Sequence, residues 1–203
     1  ASTDTMYCVF LGRALQTVTP ATNSITNAMI TDSTIESGKL FSTFKNGITV
    51  ADQWRLSADL TGVTSQFITA NLEQIDSSGQ GTLGSAMTQS SGVFTFPSTG
   101  IYLVSFNLYV YTNQNDGFVD AEIHVTTNNS SYAEVARATA GIYMGSTGDT
   151  VGNSCLAQTL IDVTDTSNVK VKFYLDTLNS TTTVKGSSTS TNTGFTFIRL
   201  GDT

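Results

Sequence analysis

The residues that most often carry chemistry are few in this sequence and stand far apart. The single histidine, His124, lies between Ile123 and Val125. Strand alternation puts it on the face opposite those aliphatics, where a surface or inter-subunit side chain is expected. A Ser-His-Asp or Cys-His nucleophile system needs partners that nothing nearby marks. Cys8 and Cys155 have no metal-ligand spacing to each other or to the histidine, so no zinc-type site is expected. They read either as two free apolar side chains or as a disulfide. The 16 acidic residues are spread thinly and point to no glycosidase-like carboxylate pair. Asp116, Asp120 and Asp149 come nearest to a loop cation set, without an EF-hand register. Gly79-Gln80-Gly81 and Gly145 to Gly152 join no strand to a helix, so they do not read as phosphate cradles. The expectation is a protein that is not an enzyme, with no catalytic residue, no cofactor and no metal.

Charge narrows the partners. The net charge is −7, and the nine Lys and Arg residues form no cluster. Nucleic acid and anionic membrane surfaces are therefore not expected partners. No apolar run approaches the roughly 18 residues that a membrane span needs. Met6 to Leu11 is too short for a signal-peptide core and lacks a basic flank; the start at Ala1 reads as following a removed segment. Charged residues make up 12% of the chain, about half the usual share of about 25%. The polar surface must then be built from Thr, Ser, Asn and Gly, which favour strands and turns over helix interiors. That is the surface style of extracellular and virion β proteins.

The elements that would position these residues are strands. Tyr7, Val9 and Leu11 alternate with Cys8 and Phe10 in a short strand ending at Gly12. Ile25, Ile30, Ile35 and Leu40 then recur every five residues, a period of neither helix nor strand. Such a segment cannot bury its apolar side chains alone. It is expected to pack them against copies of itself around a shared axis, as a stalk, along the flank of another protein, or as a loop against its own domain. Residues 1–50 are read as this N-terminal strand and extended attachment segment, and 51–203 as one β domain. Within it Trp54, Leu56 and Ala58 alternate with Arg55, Ser57 and Asp59, and Phe67 to Ile75 reads as a further strand. Ile101 to Tyr111 is the strongest strand signal. Tyr102, Val104, Phe106, Leu108 and Val110 share one face, and Leu103, Ser105, Asn107, Tyr109 and Tyr111 the other. Asn113 to Gly117 reads as a hairpin turn closed by Asp-Gly, with Val119 to Val125 as the return strand. Thr177 to Thr193 reads as a long Ser/Thr-rich hairpin with an exposed tip. Regularly spaced strands without helices indicate a sandwich or jelly roll.

Two stretches carry family resemblances. Gly92-Val93-Phe94-Thr95-Phe96-Pro97-Ser98-Thr99-Gly100-Ile101-Tyr102-Leu103-Val104-Ser105-Phe106 resembles the C1q-like head of the C1q/tumour necrosis factor superfamily. Leu160 to Phe173 and the closing Thr193 to Leu200 are similar to later strands of that family, so the likeness covers about residues 60–203. It implies an all-β, antiparallel jelly-roll sandwich that assembles as a homotrimer and binds rather than catalyses. Tyr102, Phe106 and Phe195 would then lie in core or trimer packing; Tyr109, Tyr111 and Phe197 are assigned to the same packing, and the Asn- and Gly-rich loops to recognition. Tyr7 to Leu40 is similar to attachment segments of bacteriophage tail-fibre and virion-appendage proteins. Such fibres carry many more repeats, so Ile25, Ile30, Ile35 and Leu40 imply a short stalk, a fragment of a longer one, or a capsid decoration protein.

Together these readings lead to an expected phage virion protein on the particle surface, a tail-fibre or appendage receptor-binding module. Its partners would be itself, other virion proteins through the N-terminal segment, and a host-surface glycan or protein. A capsid decoration protein without a receptor is the alternative, and a polysaccharide depolymerase the remote one.

Overall fold

The computed structural model describes residues 22, 24–31, 35, 47–114, 116–143 and 148–203. The chain divides into two units, Ala1–Phe44 and Lys45–Thr203. In the first, a 3-10 turn covers Asn27–Met29, closed by the Met29 N–H donating to the Thr26 carbonyl at 2.9 Å. Ile25, Ile30 and Ile35 are exposed there. The strand read at Tyr7 to Leu11, Cys8 and the stalk residue Leu40 lie outside the described residues.

The second unit is an antiparallel β-sandwich. Its strands are β1 (Val50–Leu56), β2 (Gln66–Phe67), β3 (Leu72–Gln74), β4 (Thr88–Ser90), β5 (Val93–Thr95), β6 (Gly100–Thr112), β7 (Gly117–Thr126), β8 (Ala133–Ile142), β9 (Val151–Val163), β10 (Lys170–Asp176), β11 (Thr183–Val184) and β12 (Gly194–Gly201). The first sheet runs β11-β6-β12-β1-β3. Strand β9 lies along the whole of β6 on one edge, while β12 and β11 share the other. The second sheet runs β4-β5-β10-β7-β8, with β2 also on β10. The chain changes sheet between β6 and β7, β8 and β9, β9 and β10, and β10 and β11, the winding of a jelly roll.

The period-two pattern of β6 produces this architecture. Tyr102, Val104, Phe106, Leu108 and Val110 are fully buried and meet Val171, Phe173 and Leu175 of β10 across the sandwich. Aromatic rings fill the centre: Phe173 and Phe195 have centroids 4.3 Å apart, Phe106 and Phe195 5.1 Å, Phe94 and Phe197 5.2 Å. Each such side chain contributes about 1.5–3 kcal/mol through burial. Tyr102 ties its hydroxyl to Ser98, 2.9 Å from Oγ and 3.1 Å from the carbonyl.

Three local expectations are corrected. The Asp116-Gly117 hairpin is not formed: Gly117 has the expected positive φ of 77°, but β7 pairs with β8 and β10. The connection instead crosses between sheets, and the Asp116 carboxylate holds it to the neighbouring loop by accepting from the Asn179 N–H and the Thr182 hydroxyl. The strand read over Phe67 to Ile75 is split into β2 and β3, which belong to opposite sheets. Asn71, at φ 57°, takes the left-handed conformation that interrupts it. Thr177 to Thr193 is not an exposed hairpin, because Thr182, Val184 and Thr193 are fully buried and β11 pairs with β6.

Candidate functional site

The outer face of the first sheet is built by the residues that alternate with the core. Registered rows place Ile198 of β12, Leu103 of β6 and Leu160 of β9 side by side; then Thr196, Ser105 and Gln158; then Gly194, Asn107 and Leu156; then Tyr109 with Ser154 and Tyr111 with Gly152. Across β12, β6 and β9 these rows contain no charged residue; the Gly194 row continues into Arg55 of β1 and Glu73 of β3, and the row beyond Leu103 pairs Ile101 with Asp162. Leu156 and Leu160 are 56% and 60% exposed, and beside Leu103 and Ile198 they form a contiguous apolar patch rather than isolated surface leucines. Polar members are tied down within the face: Gln158 Nε2 donates to Ser105 Oγ at 2.8 Å, and Asn107 Nδ2 to the Asn192 carbonyl at 2.7 Å. Tyr109 lies over Gly152, where a Cβ would stand 2.8 Å from its hydroxyl.

The outer face of the second sheet has the opposite character. On β7, Asp120, Glu122 and His124 alternate with the core residues Val119, Ala121 and Ile123. Opposite them stand Thr139, Arg137 and Glu134 of β8, and Asp176, Tyr174 and Lys172 of β10. The Arg137 guanidinium is the hub. Nε and Nη2 donate to the two Glu134 oxygens at 3.0 Å each. Nη1 donates to Asp120 Oδ2 at 3.0 Å and lies 3.8 Å from Asp176 Oδ2, and Nη2 lies 2.6 Å from Glu122 Oε1. These bonds, first that to Glu134, raise the Arg137 pKa, and the bond from Arg137 lowers that of Glu134. His124 Nε2 is 2.6 Å from Glu122 Oε2, and its ring packs edge-on against Phe67 at 5.3 Å. Lys172 turns aside over the Phe67 ring at 4.2 Å.

The sequence-derived packing residues fall into two places. Tyr102, Phe106, Phe195 and Phe197 are within the core of one chain; Tyr109 is half-buried and Tyr111 exposed on the first sheet's outer face. Cys155 is a free thiol in the described residues, half-buried, its pKa pushed up to about 11 by burial. His124 sits on the face opposite Ile123, but it is engaged with Glu122 rather than free on the surface. Sequence reasoning missed Arg137, Glu122 and Asp176. The i, i+2, i+4 spacing of Asp120, Glu122 and His124 on a strand was the available signal. Asp149 and Asp116 are not part of that cluster.

In fold the chain is similar to solved structures of murine APRIL (TM-score 0.50, 10% identity, covering 74% of this chain and 98% of that one) and of Eiger TNF from S. frugiperda (TM-score 0.51, 12% identity, covering 78% and 96%). The head is therefore a TNF-like jelly roll, and the likeness is one of fold. No protein-family profile and no curated protein matches the sequence. Among the described residues no helix is long and apolar enough to cross a membrane.

Proposed function

We propose that this chain is a non-enzymatic binding head that assembles as a homotrimer through the outer face of its first sheet and is carried on the surface of a phage virion. It serves there as the receptor-binding module of a tail fibre or appendage. The observation that carries the self-association is the apolar patch of Leu103, Leu156, Leu160 and Ile198, with two leucines more than half exposed. Burying each such side chain in a contact contributes about 1.5–3 kcal/mol, and the patch residues themselves bring no ion to desolvate. The threefold stoichiometry comes from the resemblance to C1q/TNF heads. The virion setting comes from the resemblance of Tyr7 to Leu40 to tail-fibre and appendage attachment segments; Ile25, Ile30 and Ile35 of its repeat are exposed in one chain, as a stalk shared between copies requires. Exposed loops would then bind a host-surface glycan or protein, with three weak copies acting together.

Sedimentation of the purified chain is expected to give a trimer that adheres to host cells, and Leu160→Lys is expected to give folded monomers. A wild-type monomer at micromolar concentration removes the self-association. Imaging of intact particles places the chain at a tail tip for the receptor-binding reading; a position on the capsid lattice assigns it to decoration instead.

A further inference from the structure

We propose that Asp120, Glu122 and Asp176 form a divalent-cation site of the hard, oxygen-ligand class that suits Ca2+, which the Arg137 guanidinium fills when no ion is bound. One oxygen from each carboxylate lies within 4.8 Å of the others. Oxygens bound at about 2.3–2.6 Å from one Ca2+ stand at most about twice that apart, so the three fit a single ion as they are placed. The ligands come from two rigid neighbours: Asp176 of β10 is registered opposite Asp120 of β7, and Glu122 follows two residues on.

A second observation points to a missing ligand. Among the described residues Glu122 Oε1 is the only buried side-chain oxygen or nitrogen without a hydrogen bond, and the Glu122 side chain is 3% exposed. Arg137 Nη2 at 2.6 Å gives that oxygen an opposite charge but not the alignment of a hydrogen bond. The oxygen is thus charge-paired without a donor along its lone-pair direction, and a metal ion, which has no donor axis to align, suits it. Charge leads the same way. Asp120, Glu122, Glu134 and Asp176 all face the one Arg137 guanidinium, so the carboxylates outnumber the cation that they contact. Arg137 can leave: its side chain is 42% exposed and its bidentate partner Glu134 38%, so the pair can swing outward together. Thr139, which donates to Asp120 Oδ1 at 2.5 Å, holds that carboxylate in position.

Terbium luminescence on the full chain tests the site, since Tyr174, registered opposite Glu122, can sensitise a bound Tb3+. The expected result is emission that Ca2+ displaces. Asp176→Asn, at a half-exposed side chain that tolerates the change, should weaken Tb3+ binding by at least about tenfold, the lower end of what even outer-shell changes cost at metal sites. Arg137→Gln should bind more tightly than wild type and melt at a higher temperature in CaCl2 than in EDTA. Unchanged Tb3+ affinity in Asp176→Asn overturns the proposal, as does a wild type whose Tb3+ emission Ca2+ fails to displace. An Arg137→Gln chain that folds only with CaCl2 supports it.

Discussion

Asp52 of β1 has no exposed surface, and its oxygens meet donors on every side. Oδ1 accepts from the Gln53 N–H at 2.9 Å, Gln74 Nε2 at 2.9 Å and Thr82 Oγ1 at 3.1 Å; Oδ2 accepts from Trp54 Nε1 at 2.9 Å and the Met87 N–H at 2.8 Å. A carboxylate is the one side chain of this size that only accepts, so it suits a site where every partner donates. Asp52→Asn is expected to destabilise by on the order of 2–4 kcal/mol in urea denaturation, nearly as much as Asp52→Ala, because the new amide N–H faces other donors. A loss below about 0.5 kcal/mol would show that the donors have other acceptors. Nothing in the sequence marks Asp52, since its alternation with Val50 and Trp54 would make it an ordinary core position. The charged cluster was half legible: Asp120, Glu122 and His124 advertise a polar strand face, but Arg137 and Asp176 reach it only through the registers of β8 and β10. Pairing register over such sequence distances is set by the whole sheet.

The elements divide the same way between what local pattern shows and what it does not. The faces of β6 follow from alternation alone, and the alternating burial along Gly100–Thr112 reproduces them. The Asp-Gly signal, by contrast, sets a backbone conformation without naming the strand's partner, so the crossing to the second sheet was illegible. The Ser/Thr-rich stretch before β12 was misread because its hydroxyl residues bury themselves by bonding backbone: Thr193 Oγ1 accepts from the Tyr109 N–H at 3.1 Å. Two glycines test how tightly these elements seat. A Cβ at Gly186 would stand 2.3 Å from the Ala58 carbonyl oxygen, whereas one at Gly152 meets chiefly the movable end of Tyr109. Gly186→Ala is expected to cost about 1–3 kcal/mol by forcing backbone apart. Gly152→Ala should stay within about 1 kcal/mol by comparison, as Tyr109 turns aside. Equal melting temperatures for the two variants would mean that the contact between β11 and residues 56–60 gives way freely.

At the scale of the whole molecule, two opposed faces set two different responses to solution conditions. The first sheet's outer rows around Leu103 and Leu160 are uncharged, with Asp162 beside Ile101 at their margin, so the acid response is expected from carboxylates held in local bonds elsewhere. Three are held below their ordinary range. Glu134 is lowered by the bond from Arg137. Asp59 is pushed up by burial, but Lys185 and the Gly186 N–H outweigh that. Asp165 is lowered by the Ser167 N–H. Their unfolded values are about 3.9 for Asp and about 4.3 for Glu. Because the folded chain binds these protons less readily, the stability they contribute is full above those values and is lost as pH falls through the lower folded ones. Relief of the net charge of −7 on approaching the isoelectric point of about 4.4 acts the other way. It acts between distant surface groups screened over about 8–10 Å, however, while the three pairs are in direct contact. The melting temperature is therefore expected to be level from about pH 7 to about pH 5 and to fall below about pH 4. Asp165→Asn should melt lower at neutral pH and show a shallower acid decline, because the substituted amide has no proton to bind. A wild-type melting temperature that rises between pH 5 and pH 3 would show that long-range repulsion outweighs these local bonds.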